Sequence, residues 1–235
     1  MGVAWSFLHP VFILSVYTFV FSVVFKARWG GGDEDSRMQL ALVLFVGMIV
    51  HGVFAEVLNR APGLIIGNSN YVKKVLFPLE ILPLVAMGTT LFHGLASICV
   101  LLTAFLLFNG YLQWTAILMP LVLLPLVILT LGMAWALASI GVFLKDLGQT
   151  TGLFTTVMLF LSPVFYPATA LPESIQPWFL ANPLTFIIEQ ARDVVIWGYM
   201  PNWSGLGAYL IVASFIAWVG YAWFQRTRTM FADIL

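Results

Sequence analysis

The sequence predicts an all-α, polytopic membrane protein with six transmembrane helices. Three observations predict it. Hydrophobic residues make up 61% of the 235 positions and charged residues only 9%, where a soluble domain carries about a quarter charged residues to stay solvated. The apolar residues fall in runs long enough to cross a hydrocarbon core, which takes about 20 helical residues. Glycine, proline and charged residues gather between those runs, where they break helices. A chain of this size can bury a core, yet it cannot hide this much apolar side chain without lipid as the solvent for the rest.

The first span is expected at 3–25, ending at Lys26-Ala27-Arg28 and a loop through Gly30-Gly31-Gly32-Asp33-Glu34-Asp35. It has no basic leader and no small-residue cleavage site, so it reads as a retained span and not as a cleavable signal. The second span, 38–58, stops at Asn59-Arg60-Ala61-Pro62-Gly63. Residues 64–75 are too short and too polar to cross. Leu64, Ile65 and Ile66 stand beside Gly67, Asn68, Ser69, Asn70, Lys73 and Lys74, as in a short helix lying at the interface. The third span is expected at 84–108, after Pro78, Glu80 and Pro83 and before the turn Asn109-Gly110-Tyr111.

The fourth span, 116–144, contains Pro120 and Pro125, which bend membrane helices when neighbours satisfy the freed carbonyls. Lys145-Asp146 ends it. The fifth, 152–167, is short and closed by Pro167. Residues 168–203 mix Pro172, Glu173, Pro177, Pro183, Glu189, Arg192, Asp193 and Pro201 with Trp178, Phe186 and Trp197. They read as two short amphipathic helices within 172–197, at the membrane surface or partly re-entrant, with Asn182-Pro183 between them. The sixth span, 205–224, ends at Gln225-Arg226-Thr227-Arg228. The whole of 1–235 is expected to be one transmembrane domain.

Lys and Arg set orientation. Arg60, Lys73, Lys74, Lys145, Arg226 and Arg228 fall on one side of this topology, and Lys26, Arg28, Arg37 and Arg192 on the other. The bias puts both termini in the cytoplasm. No internal repeat supports an inverted-repeat transporter. Formal net charge is zero, which gives no case for a nucleic-acid partner.

The chain shows no Gly-x-x-x-x-Gly-Lys-Ser/Thr pattern, no His-Glu-x-x-His and no Gly-x-Ser-x-Gly. It therefore shows no recognisable nucleotide-hydrolysing element of its own and does not read as an enzyme. His9, His51 and His93 lie in separate spans with no metal-ligand spacing. The one cysteine, Cys99, reads as a small apolar side chain. Ionisable groups at membrane depth are the places to look for function. Glu56 and Glu80 either belong to an ion relay or sit at the headgroups, paired with Arg60, Lys73 or Lys74. Trp114, Trp178, Trp197 and Trp203 fit interfacial belts. Trp5, Phe7, Phe12, Tyr17, Phe19, Phe21 and Phe25 run through the depth of the first span, where they face lipid or line a path for sugar rings.

Three segments resemble the permease subunits of type-2 ABC exporters. Gly2-Val3-Ala4-Trp5 with His9-Pro10 is similar to the start of that family's first span. Residues Asn68 to Pro78 (Asn-Ser-Asn-Tyr-Val-Lys-Lys-Val-Leu-Phe-Pro) are similar to its cytoplasmic segment between spans two and three. Leu161-Ser162-Pro163-Val164-Phe165-Tyr166-Pro167, then Leu171-Pro172 and Asn182-Pro183-Leu184, are similar to its run from span five into an extracytoplasmic gate. Within the family the polysaccharide branch, which exports O-antigen, capsular polysaccharide or teichoic acid, is the nearest match.

The resemblance implies a homodimer of permeases in the bacterial inner membrane, served by two copies of a separate ATPase that holds the ATP and Mg. It implies a lipid-linked polysaccharide as cargo and no cofactor in this chain. The 64–75 segment becomes a coupling helix, with Gly67, Asn68, Tyr71, Val72, Lys73 and Lys74 toward the ATPase. The 172–197 helices become a periplasmic gate containing Pro172, Trp178, Asn182 and Pro183. Trp5, Phe12, Tyr17, Phe165 and Tyr166 become the aromatic substrate path. The family carries a basic interfacial helix ahead of its Gly-x-x-Trp segment, whereas this chain starts inside it. Either the native start lies upstream or this member lacks the helix. Two other readings are a type-2 ABC permease for a small lipid or drug, and a membrane-embedded transferase using His51, Glu56, Glu80 or Asp146.

Overall fold

The computed structural model describes residues 4–20, 35–74, 77–166, 179 and 182–234. Among them every regular element is helical. In chain order these are α1 (Ala4–Tyr17), α2 (Asp35–Arg60), α3 (Ser69–Lys74), α4 (Ile81–Asn109), α5 (Met119–Phe143), α6 (Leu147–Leu161), α7 (Pro183–Arg192), α8 (Trp203–Thr227) and α9 (Phe231–Ile234). In hydrocarbon the backbone must satisfy itself, which a helix does internally.

Among the described residues four helical stretches are long and apolar enough to cross a bilayer: Gln39–Gly63, Ile81–Asn109, Trp114–Phe143 and Trp203–Met230. The fifth expected span is a shorter apolar helix, Leu147–Leu161, and the first is described as the apolar helix Ala4–Val20, with 21–25 outside the described residues. At 1.5 Å per residue, a 15-residue helix covers about 22 Å of a core about 30 Å thick. α6 also sits earlier in the chain than 152–167. Its polar first turns carry hydroxyls paired along the helix: Thr151 donates to the Gly148 carbonyl at 2.9 Å and Thr156 to Gly152 at 2.9 Å. It stops at Leu161 because Pro163 disfavours helix in the residue before it.

The other ends follow from local chemistry. Pro120 lies in the first turn of α5, where its missing N–H has no helical partner to lose, so only Pro125 falls inside the helix. Gly110 closes α4 in the left-handed region (φ 74°). Asn182 caps α7 by accepting from the Leu184 N–H at 2.9 Å, with Pro183 at the first position. Asn202 caps α8 in the same way through Gly205 at 3.0 Å.

The chain divides into two compact units, each assembled from three separate stretches. The first comprises Met1–His51, Phe92–Val122 and Ser162–Pro201. Its centre is the N-terminal half of α2, where Leu40 through Val46 are buried, together with α7 and the turn after it. The Thr115 hydroxyl, fully buried, donates to the Val194 carbonyl at 2.6 Å and ties the start of the fourth span to that turn.

The second unit comprises Gly52–Leu91, Leu123–Leu161 and Asn202–Leu235. α5 and α8 meet there backbone to backbone. A Cβ on Gly132 would stand 2.5 Å from the Ala217 Cα, and one on Gly220 would strike the Gly132 carbonyl oxygen. Small residues permit this approach, which dispersion must hold because lipid is as apolar as leucine. The crossing is fixed near its end by Ser139 and Thr227, whose hydroxyls lie 2.6 Å apart. α8 turns its other face outward: Ile211, Phe215 and Trp218 are exposed, as befits a lipid-facing helix.

Candidate functional site

In the second unit, the 64–75 segment is a chain of short turns and not a single helix. Single 3₁₀ turns cover Ala61–Gly63 and Ile66–Asn68, and α3 follows with six residues. The Asn68 side chain donates to the Leu64 carbonyl at 2.8 Å and its N–H to Ile65 at 3.1 Å, closing the elbow on itself. Ile65 is the anchor. It is fully buried in a cluster with Leu82, Ala138, Val142, Phe224 and Phe231, and Leu64, Val72 and Phe77 pack against the same cluster. At the elbow's start Pro62 lies so close to α5 that a Cβ on Gly141 would overlap its carbonyl.

The outward side of the segment holds Gly63, Gly67, Asn70 and Tyr71, all exposed. The Tyr71 ring stacks on Phe77 with centroids 4.8 Å apart. Of the predicted coupling residues, Gly67 and Tyr71 are therefore presented outward, Asn68 closes the elbow on itself, Val72 packs against the core, and Lys73 and Lys74 complete α3. The neighbouring turn, Leu144 to Asp146, is exposed as well.

Glu56 and Glu80 are both paired. Glu56 takes the expected partner, Arg60, at 3.0 Å. Glu80 meets a partner that the sequence reading did not name. Its carboxylate faces Arg228 at 3.4 Å, and its backbone carbonyl accepts from the Trp135 indole at 3.0 Å. His51 is buried in α2, and His93 lies in α4 with its ring centroid 6.2 Å from that of Phe92.

In the first unit, the predicted gate stretch is described from Asn182 onward, while Pro172 and Trp178 lie outside the described residues. The part in view is largely buried within the protein. Seven residues of α7 are buried, and so are Val194, Val195 and Ile196 in the π turn that follows. The polar residues that suggested a surface helix are satisfied from within. Asn182, besides capping, donates to the Ser162 hydroxyl at 3.0 Å, and Gln190 donates to Asp193 at 3.2 Å.

Arg192 is the residue that sequence reasoning missed, counted only as a charge outside the membrane core. It is 4% exposed. Its Nε donates to the Val43 carbonyl at 3.2 Å and its Nη2 to the Val164 carbonyl at 3.0 Å. Gly47, one turn after Val43, leaves the gap: a Cβ there would stand 3.2 Å from Nη2. Burial lowers the guanidinium pKa to about 10, with the Glu189 charge acting the other way. Burial likewise raises the Glu189 and Asp193 carboxyls. An arginine three residues from a glutamate on a predicted helix was the available signal.

The predicted aromatic path is divided. Trp5 and Phe12 are exposed and share a face of α1 with Leu8 and Val16. Tyr17 is half-buried. Phe165 and Tyr166, also half-buried, follow α6, and the Tyr166 ring meets Phe179 edge-on with centroids 6.0 Å apart. The opposite face of α1 forms a groove of about 720 Å³ with α4, lined by Phe7, Val11, Phe19, Val100 and Leu107 among others. Its hydroxyls, Ser15, Thr18 and Thr103, each donate to the carbonyl four residues back at 2.8 Å, so the groove offers an apolar wall.

The sequence profile of the family described as "ABC-2 type transporter" matches residues 1–196. The chain is 26% identical over 235 residues to the "O-antigen export system permease protein RfbA" of Myxococcus xanthus, covering 99% of this chain and 87% of that protein. It is 26% identical over 238 residues to a protein of the same name from Klebsiella pneumoniae, covering 100% and 87%. It is 22% identical over 243 residues to the "Polysialic acid transport protein KpsM" of Escherichia coli, covering 97% and 86%.

Proposed function

The chain belongs to the ABC-2 type transporter family, and from that premise we propose that it is the channel-forming subunit of an ATP-driven exporter of lipid-linked polysaccharide. The observation that carries the reading is the near full-length similarity to two permeases named for O-antigen export and to a polysialic acid transport protein. A homodimer in the inner membrane, both termini cytoplasmic, would form the path. Two copies of a separate ATPase, holding ATP and Mg, would drive it.

The elbow at 61–74 supports a mechanical coupling role. Its outward side is accessible to a partner, and its inward side is clamped to α4, α5 and α8 through Ile65. A push on Tyr71 and Gly67 would then reach three long helices at once. α7 supports the gate role, because it is fixed by caps and buried polar contacts and not by lipid.

The test is export of surface polysaccharide in cells lacking the chromosomal copy, with ATPase co-purification measured in parallel. Tyr71→Ala with Lys73→Glu should leave the chain in the membrane and abolish both export and stimulated ATPase activity. Survival of both activities removes the coupling role.

The groove on α1 favours a second reading, a permease for a small lipid, since its volume and apolar wall suit an acyl chain. Vesicle uptake of a short-chain fluorescent lipid, without any polysaccharide requirement, would decide for it.

A further inference from the structure

We propose that Phe231 is a positioning residue for the coupling segment, so that the C-terminal tail takes part in passing the ATPase stroke to the membrane helices. The inference rests on the coupling role of residues 61–74 and extends it to a part of the chain that role does not include.

The argument starts from the weakness of the segment itself. Two single 3₁₀ turns and a six-residue helix are far below the length at which a helix stands alone. Where the segment sits is therefore decided by what lies under it. Phe231 lies there. It is fully buried in the same cluster as Ile65, and α9, which carries it, packs beside α3. Its ring meets Phe224 edge-on with centroids 5.6 Å apart, and Phe143 at 6.3 Å. One side chain thus touches the ends of α5 and α8 and the floor of the elbow.

The tail that delivers Phe231 is itself pinned twice. Thr227 meets Ser139 on α5, and Arg228 faces Glu80 just before α4. The segment cannot shift without carrying Phe231 along or parting from it. With the ring in place, the shift is shared among α4, α5 and α8. Without it, the outward face at Gly67, Asn70 and Tyr71 would still meet the partner, yet the displacement would be lost in a slack floor.

Docking and transmission should therefore separate. The permease is purified with its ATPase subunit and reconstituted, and ATPase activity is compared with that of the ATPase alone. Phe231→Ala should co-purify ATPase as the unaltered chain does and lower the permease-dependent stimulation about fivefold or more, a usual size for coupling between sites. Phe231→Leu, which keeps an apolar filler but loses the ring contacts, should fall between. A spin label at position 71 (Tyr71→Cys with Cys99→Ser) should become more mobile when Phe231→Leu is added, a change that lower stability elsewhere would not produce.

Full stimulation with Phe231→Ala, while Tyr71→Ala abolishes it, overturns the brace and leaves the coupling reading standing. Full stimulation with Tyr71→Ala removes the coupling reading and the brace with it. If Phe231→Ala is not recovered folded, unchanged label mobility with Phe231→Leu overturns the brace.

Discussion

Replacing Arg192 tests whether a buried guanidinium holds α7 in place. The two carbonyls it reaches among the described residues differ. Val43 lies within α2, where its carbonyl also receives the helical bond from Gly47. Val164 lies in the turn after α6 and takes its bond from Arg192. Arg192→Met keeps most of the stem, removes the charge and orphans chiefly the Val164 carbonyl, which costs about 1–3 kcal/mol. Arg192→Lys keeps a buried charge but replaces the planar fork with one ammonium that cannot serve both carbonyls. A buried charge left under-bonded costs about 3–5 kcal/mol. The order of stability should therefore be arginine, methionine, lysine.

For a chain of this size about 1 kcal/mol moves the melting midpoint by roughly 2–4 °C, so thermal unfolding in detergent resolves the series. Gly47→Ala, which crowds Nη2 from the α2 side, should destabilise the unaltered chain more than the Arg192→Met variant, because the two sites share one contact. Lysine equal to arginine, or strict additivity of the Gly47 and Arg192 changes, would refute the reasoning.

Three further outcomes follow from the same contacts. Gly220→Val places atoms inside the Gly132 backbone, beyond the about 1–3 kcal/mol of ordinary overpacking, so fluorescence size-exclusion should show little monodisperse protein. Asn182→Ala removes the cap of α7, about 1 kcal/mol, and the bond to Ser162 as well, so its midpoint should fall by more than a cap alone explains. Burial raises the Glu189 carboxyl above its usual 4.5, with Arg192 opposing and Asp193 reinforcing the rise. The folded state then binds that proton more tightly, so the contribution is full below pH 4.5 and is lost as pH climbs through the raised folded value. Denaturation at a series of pH values should show Glu189→Gln flattening that decline.

Much of the fold was legible because membrane insertion is a local property. A run such as 84–108 is apolar whatever surrounds it, and α4 covers it with a few residues to spare. Asn182-Pro183 was legible as the break between two short helices, and the structure makes it the cap of α7. The elbow was legible as a break in apolarity, and Gly67 and Tyr71 are exposed on it. The division of 64–75 into turns was not, because Ile65 reads as one more apolar residue until Phe231 stands beneath it.

What the sequence by itself determined is the helical class, the longest apolar runs and the segments too polar to cross, all properties of neighbours along the chain. Only the tertiary structure decided where the ionisable groups go. Glu80 finds Arg228 across 148 residues, and Arg192 finds the Val43 carbonyl across 149. A charge in an apolar setting must be matched wherever folding brings a partner. Sequence distance carries no information about that partner, so a segment that reads as a polar surface helix can be the buried centre of its unit.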